Sequence, residues 1–292
     1  MYKLIQISDK TYYISSMTNV GLYKTDGNKV ILIDSGNSPS AGLRIYNILN
    51  SNGFEPDYIL NTHSHADHIG ANRFFRDNCK INAYVGKKEL LFAREPIANT
   101  AVMYGGNPPK RYLNYLLCAE KSTAEPMEKA PIPPDFWIIP LKGHSTDMNG
   151  FKTPDGTVFL GDSVVGKKII DANKIIYNYD IGMFLKTLET IKNIKGNLFI
   201  PSHGKPTEDI FSLAEYNKRN AYSTIELICE LCADHITFEN LLKKITDRYS
   251  IKLNYDKYVL ITCSVRSYIS YMLDENILYF DINDNEMLYK KK

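Results

Sequence analysis

His63-Ser64-His65-Ala66-Asp67-His68 places four potential metal ligands within six residues, after the apolar stretch ending at Leu60 and before Ile69-Gly70. In an extended chain alternate side chains share a side, so His63 and His65 project together. A turn through Ala66 then presents Asp67 and His68 to a neighbouring point. Two ligand sets facing two adjacent points suit a pair of metal ions, and an ordinary polar loop does not give this spacing by chance.

Working outward, the flanking sequence reads as an α/β layered core. Lys3–Ile7, Thr11–Ser15, Val20–Lys24 and Lys29–Ile33 are strand-like, with Asp26-Gly27 as a hairpin signal. Residues 39–52 carry helical spacing closed by Gly53. Asp57–Asn61 is a strand, Ala71–Asp77 a helix, Ile81–Val85 a strand and Lys87–Arg94 a helix. This alternation predicts layered sheet and helix.

Three further candidates fall after predicted strands. His144 stands in Gly143-His144-Ser145, Asp162 in Gly161-Asp162-Ser163 and His203 in Ser202-His203-Gly204. Strand ends on a rigid scaffold are where functional groups collect. Each alone would be a turn or surface residue, and the first cluster turns each into a ligand candidate. His235 follows Asp234 at a helix junction and reads as structural. Asp34, in Ile33-Asp34-Ser35-Gly36, is either a turn residue or a carboxylate that orients a ligand histidine.

Eight of the chain's 13 prolines fall in residues 95–140. So irregular a stretch, lying between two halves of the motif, reads as a lid-like insertion over residues 95–135. Tyr104, Tyr112 and Phe136 would give it an aromatic face. From residue 207 the pattern is mostly helical: 210–233, 238–249 and 256–273. A hairpin around Asn283-Asp284-Asn285 closes it. We therefore divide the chain into residues 1–206 and a helical, winged-helix-like domain, 207–292.

The 292 residues carry 35 Lys+Arg against 33 Asp+Glu, a net charge of +2. That field gives no reason to expect nucleic acid or an anionic membrane as the main partner. No apolar run approaches the roughly 18 residues of a membrane helix, and no secretory signal is recognisable at the N-terminus. Five cysteines, an odd count, do not suggest a disulfide framework, so a cytoplasmic location is expected.

The ordered set H-x-H-x-D-H, then a lone His, a lone Asp and a lone His, resembles the metallo-β-lactamase superfamily over residues 1–206. The resemblance implies an αββα sandwich with a dinuclear site at one edge of the sheets. It assigns His63, His65 and His144 to a first metal, and Asp67, His68 and His203 to a second. Asp162 would bridge both, and Asp34 would support them. The complete set looks like the glyoxalase II-type hydrolases. Weaker likeness in the C-terminal part is to the winged-helix tail of β-lactamase-like endoribonucleases. With nitrogen and oxygen ligands and no thiolate, the cofactors expected are two divalent ions, zinc first, with iron or manganese as replacements.

These readings predict a hydrolase in which hydroxide formed at the metal pair attacks a small-molecule thioester, ester or lactone. Asp67 and Asp162 would orient the water or relay its proton. The alternatives are an endoribonuclease using the tail to bind nucleic acid, and an iron-dependent redox or dioxygenase member. Residues 234–292 hold nine acidic and nine basic side chains, which ranks nucleic acid below a small molecule as partner. The C-terminal domain could equally be a packing or self-association module.

Overall fold

The computed structural model describes residues 2–292. Four strands open the chain: β1 (Lys3–Gln6), β2 (Thr11–Ser15), β3 (Val20–Lys24) and β4 (Lys29–Ile33). α1 (Pro39–Ser51), β5 (Glu55–Leu60), α2 (Ala66–Ile69), α3 (Asn72–Cys79) and β6 (Ala83–Val85) follow. Next come α4 (Leu90–Arg94), α5 (Pro96–Tyr104) and β7 (Glu125–Pro126). The second half begins with β8 (Trp137–Pro140), β9 (Asn149–Lys152) and β10 (Thr157–Gly161). Then come α6 (Lys167–Asn173), α7 (Ile181–Ile191) and β11 (Leu198–Pro201). The C-terminal region holds α8 (Ile210–Leu231), β12 (Ile236–Thr237), α9 (Phe238–Arg248), α10 (Tyr255–Asp274), β13 (Leu278–Asn283) and β14 (Glu286–Lys291).

The first sheet runs β1-β2-β3-β4-β5-β6-β7 and the second β11-β10-β9-β8. Strand alternation builds the layers between and outside them. Val30 and Leu32 of β4 face α1 and α3 with Ile45, Leu49 and Phe75, whereas Ile31 and Ile33 face the second sheet. Phe151, Phe159 and Ile200 meet them from that sheet. On its other face, Val158 and Leu160 pack against α7 and α8 through Leu188, Ile191 and Leu213. The result is the expected order of helix, sheet, sheet and helix. β4, β5 and β6 are parallel neighbours, as are β10 and β11, so their C-terminal ends point to one edge.

The C-terminal helices share one apolar core with this outer layer: Ile225, Ile228, Val265, Tyr268 and Met272 continue the cluster that contains Leu160 and Leu188. β12 adds a strand beside the expected hairpin, giving a third sheet in the order β12-β14-β13.

The insertion departs from expectation. Pro96 occupies the first turn of α5, where its fixed φ and missing N–H cost nothing, and Gly105 at φ 86° closes the helix. Two of the three aromatics assigned to a lid are interior. Phe136 lies 5.5 Å, centroid to centroid, from Tyr23 in the inter-sheet core. Tyr112 packs with Met103, Leu117 and Val259. Asn114 Nδ2 donates to Asp256 Oδ1 at 3.0 Å, and the Arg111 guanidinium lies 3.7 Å from the Tyr255 ring centre. These contacts strap the segment to α10. The helix α6 had no signal in the sequence reading.

Candidate metal centre

The seven residues singled out by spacing converge at the edge where the parallel strands end. His63 and His65 leave β5, and Asp67 and His68 lie on the single turn of α2. His144 sits between β8 and β9, Asp162 directly follows β10, and His203 follows β11. Donor atoms of His63, His65 and His144 lie within 4.8 Å of one another, as do those of His63, His68 and Asp162, and those of Asp67, His68 and His203. His235 stands apart and exposed, edge-on to Tyr279.

Four of the five rings are turned by a partner on the outer nitrogen. His144 Nδ1 donates to the Tyr177 carbonyl at 2.9 Å, and His203 Nδ1 to the Met17 carbonyl at 3.0 Å. His68 Nδ1 donates to Asp34 Oδ2 at 2.8 Å. Asp34 also accepts from Thr62 N and Thr62 Oγ1, both at 2.8 Å. Because the Thr62 hydroxyl proton goes to Asp34, its oxygen accepts from His63 Nδ1 at 3.0 Å. The Nε2 atoms of these four rings therefore face inward.

Inside, acceptors crowd. His65 Nδ1 lies 2.9 Å from both His63 Nε2 and His144 Nε2. Asp162 Oδ2 lies 3.5 Å from His68 Nε2 and 3.4 Å from His144 Nε2 and from His203 Nε2. Asp67 Oδ2 lies 3.0 Å from His203 Nε2 and accepts from Thr18 Oγ1 at 2.9 Å. His68 Nε2 and Asp162 Oδ1 are buried without a hydrogen-bond partner. Orphaned polar atoms at this depth are costly, and a cation among them resolves the cost. The residues fit a divalent metal ion.

The titration behaviour divides the same set. Burial, reinforced by neighbouring rings, holds His63 well below the usual histidine range. Burial likewise holds His65 to about 4 and His144 to about 3. These rings are neutral at pH 7, as ligands must be. Burial also opposes charge on His68 and His203, yet the Asp67 and Asp162 carboxylates push both well above that range. Asp67 and Asp162 are in turn held well below the carboxylate range despite burial, by His68 and His203. The two carboxylates thus favour positive charge at this end of the set, where a cation would sit.

Glu89 is a functional candidate that sequence reasoning missed. It is 1% exposed and accepts from Ser64 N at 3.3 Å, Ser64 Oγ, Thr146 Oγ1 at 2.7 Å and Asp147 N at 2.8 Å. It ties the His63–His65 loop to the His144 loop. Lys87-Lys88-Glu89 reads in sequence as a solvated helix start, and its partners are remote. Tyr177 was also missed; its ring sits edge-on to His65 and His144.

A family model for the metallo-beta-lactamase superfamily matches residues 15–203. The chain belongs to the metallo-beta-lactamase superfamily. Among curated relatives, the Beta-lactamase-like protein 2 homolog of Drosophila melanogaster is 25% identical over 198 residues, 66% of this chain and 62% of the relative. Lactamase-like protein nscB of Neosartorya fischeri is 29% identical over 202 residues, 68% of this chain and 52% of that protein. The matches thus span less than two thirds of either relative. Among solved structures, a Beta-lactamase domain protein from Burkholderia ambifaria superposes with a TM-score of 0.73 at 16% identity, covering 99% of this chain and 94% of that one. A metallo-beta-lactamase family protein from Thermus thermophilus gives 0.72 at 17%, covering 100% and 98%. The shared fold therefore extends through the C-terminal helices. The chain carries the metallo-beta-lactamase fold and a His/Asp cluster suited to a divalent metal. No helix among the described residues is long and apolar enough to cross a membrane.

Beside the cluster lies a cleft of about 430 Å³. His144, Asp162 and His203 form its floor, residues 165–177 one wall, and residues 249–264 of the C-terminal region the other. Neither Tyr104, Tyr112 nor Phe136 lines it.

Proposed function

We propose that this protein hydrolyses a small-molecule thioester, ester or lactone at two divalent ions, zinc in the first instance. The observation that carries the reading is the cleft. It is of small-molecule size, its walls are rich in Val165, Ile169, Ile175, Ile251, Leu260 and Ile261, and it opens on His144, Asp162 and His203. His63, His65 and His144 would hold one ion and Asp67, His68 and His203 the other, with Asp162 shared between them. Such ions polarise a scissile carbonyl and bring the pKa of a water toward neutrality. Asp67, whose Oδ2 accepts from Thr18 Oγ1, would take a proton from the water. Asp34, Thr62, Met17 and Tyr177 keep the rings turned inward. All five cysteines are free thiols, which supports a reducing, cytoplasmic setting.

The second reading is an RNA-cleaving enzyme. The element order helix, strand, helix, helix and two-stranded hairpin over α8 to β14 is that of a winged helix, and supports it. The balance of nine acids and nine bases in residues 234–292 speaks against it.

The test is turnover of thioesters, lactones, aryl esters and single-stranded RNA by zinc-loaded protein beside Asp162→Ala, with bound metal measured in both. Acyl turnover and metal content lost together in Asp162→Ala, with RNA intact, is the expected result. RNA cleavage lost in the variant would replace this reading with the second.

A further inference from the structure

Apart from His144, Asp162 and His203, the charged side chains lining the cleft are Lys252 and Lys257. Both are exposed, whereas Val165, Ile175 and Ile261 deeper in are buried. The cleft therefore grades from an apolar interior beside the metal-ligand cluster to a cationic mouth.

Local structure explains how the lysines arrive there. α9 ends with Ser250 at φ 54°, a left-handed conformation usually left to glycine, and Ile251 N bonds back to Thr246 O at 2.8 Å. This reversal lays Ile251 and Lys252 along the cleft. Lys257 stands in the first turn of α10, where its amide bonds the Asn254 cap at 2.9 Å. The aligned peptide dipoles make that end of a helix positive, so a lysine there works against helix stability. Asp256 in the same turn is engaged by Asn114 Nδ2. Two cations at one mouth, without an ion-pair partner for either lysine among the described residues, are arranged for an anion from outside the chain.

We propose that the mouth is an anion subsite, and that the substrate is a thioester with an apolar acyl group and a phosphate-bearing thiol arm. This rests on the acyl-hydrolase reading above. The acyl chain lies along Ile175 and Ile261, and the thioester carbonyl meets the His/Asp cluster. The thiol arm leaves through the mouth between Lys252 and Lys257. The C–S bond breaks as a water oxygen bonds to the carbonyl carbon. The thiol departs with one water proton and the other is released as the acid ionises, so no oxidant or reductant takes part.

The experiment compares octanoyl-coenzyme A, whose thiol arm carries phosphates, with octanoyl-N-acetylcysteamine, which has the same acyl group and a neutral arm. Zinc-loaded wild type, Lys252→Glu, Lys257→Glu and the net-charge control Lys195→Glu are assayed in low salt. The expected result is that Lys252→Glu and Lys257→Glu each raise KM for the phosphorylated substrate about tenfold relative to the neutral one, with the ratio recovering as salt is added. Lys195→Glu keeps the wild-type ratio. An unchanged ratio in the cleft variants, or an equal change in Lys195→Glu, overturns the subsite while acyl hydrolysis stands. Absence of turnover of both thioesters and of every other acyl substrate overturns the hydrolase reading and this inference with it.

Discussion

Asp34 Oδ2 accepts the Nδ1 proton of His68 at 2.8 Å, on the side of the ring away from the cluster, and both groups are almost fully buried. The bond fixes which nitrogen of His68 faces the cluster and where it points. Asp34→Asn keeps the shape but removes the charge, and its amide can present a donor to His68. Metal affinity should fall about 10- to 100-fold, read by competition against a chromophoric chelator. An affinity equal to wild type would assign Asp34 to the Thr62 turn alone.

Glu89→Ala strands the four donors that the carboxylate gathers from Ser64, Thr146 and Asp147. The expected loss is about 2–3 kcal/mol of folding stability, measured by urea unfolding. Looser coupling of the two histidine loops should also weaken metal binding. A variant as stable as wild type would mean that water takes the place of the carboxylate.

Gly143 precedes His144 at φ 124°, and a Cβ there would stand 2.3 Å from Phe184 N at the start of α7. Backbone strain and this clash add, so Gly143→Ala should cost at least about 2 kcal/mol. Chelator competition should show His144 displaced, as a lower metal affinity.

Asp155 reports acid stability away from the cluster. Burial opposes its ionisation, yet hydrogen bonds from Ser8, Thr153 and the Thr157 amide hold its carboxyl down to about 2, below the ordinary 3.8. A folded-state pKa below the unfolded one gives stability that is complete above about 4 and lost as pH falls through about 2. Asp155→Asn should cost about 1 kcal/mol at pH 6, the pKa displacement being discounted for a partly solvent-facing group. The gap to wild type should close near pH 2. A gap that persists there would place the effect in side-chain shape.

Zinc bound through the histidines competes with protons, which Asp67 and Asp162 favour on His68 and His203, so apparent affinity should rise with pH and binding should release protons. Calorimetry in buffers of different ionisation enthalpy measures the release. Zinc at about 100 times its Kd should stabilise the fold by about 2.7 kcal/mol, EDTA should reverse the gain, and His235→Ala should leave it unchanged. Equal melting temperatures with zinc and with EDTA would exclude a metal site of that affinity.

What was legible in the sequence follows from the range of the forces involved. Val30 to Ile33 alternate between two apolar layers, and His63 to His68 cluster within six positions; both are local patterns. Pro96 misled because proline density reads as irregular backbone, whereas one proline in a first helical turn is compatible with α5. Phe136 and Tyr112 looked like surface aromatics because each follows a charged residue in a proline-rich stretch, and only tertiary packing encloses them. Glu89 gave no signal, since Thr146 and Asp147 meet it across nearly sixty residues. The walls of the cleft had no local mark either, because one of them comes from α6 and its flanks and the other from the α9–α10 turn and the first half of α10.

That division of the walls has an evolutionary reading. The groups suited to bond cleavage come from residues 63–203, and much of the surface that would touch a substrate's remainder comes from residues 249–264. Changes at Ile251, Lys252 or Lys257 can reshape the recess without moving a single donor atom. Reactivity and preference can thus drift on separate stretches of one gene, so relatives that retain the whole histidine–aspartate signature need share no common compound.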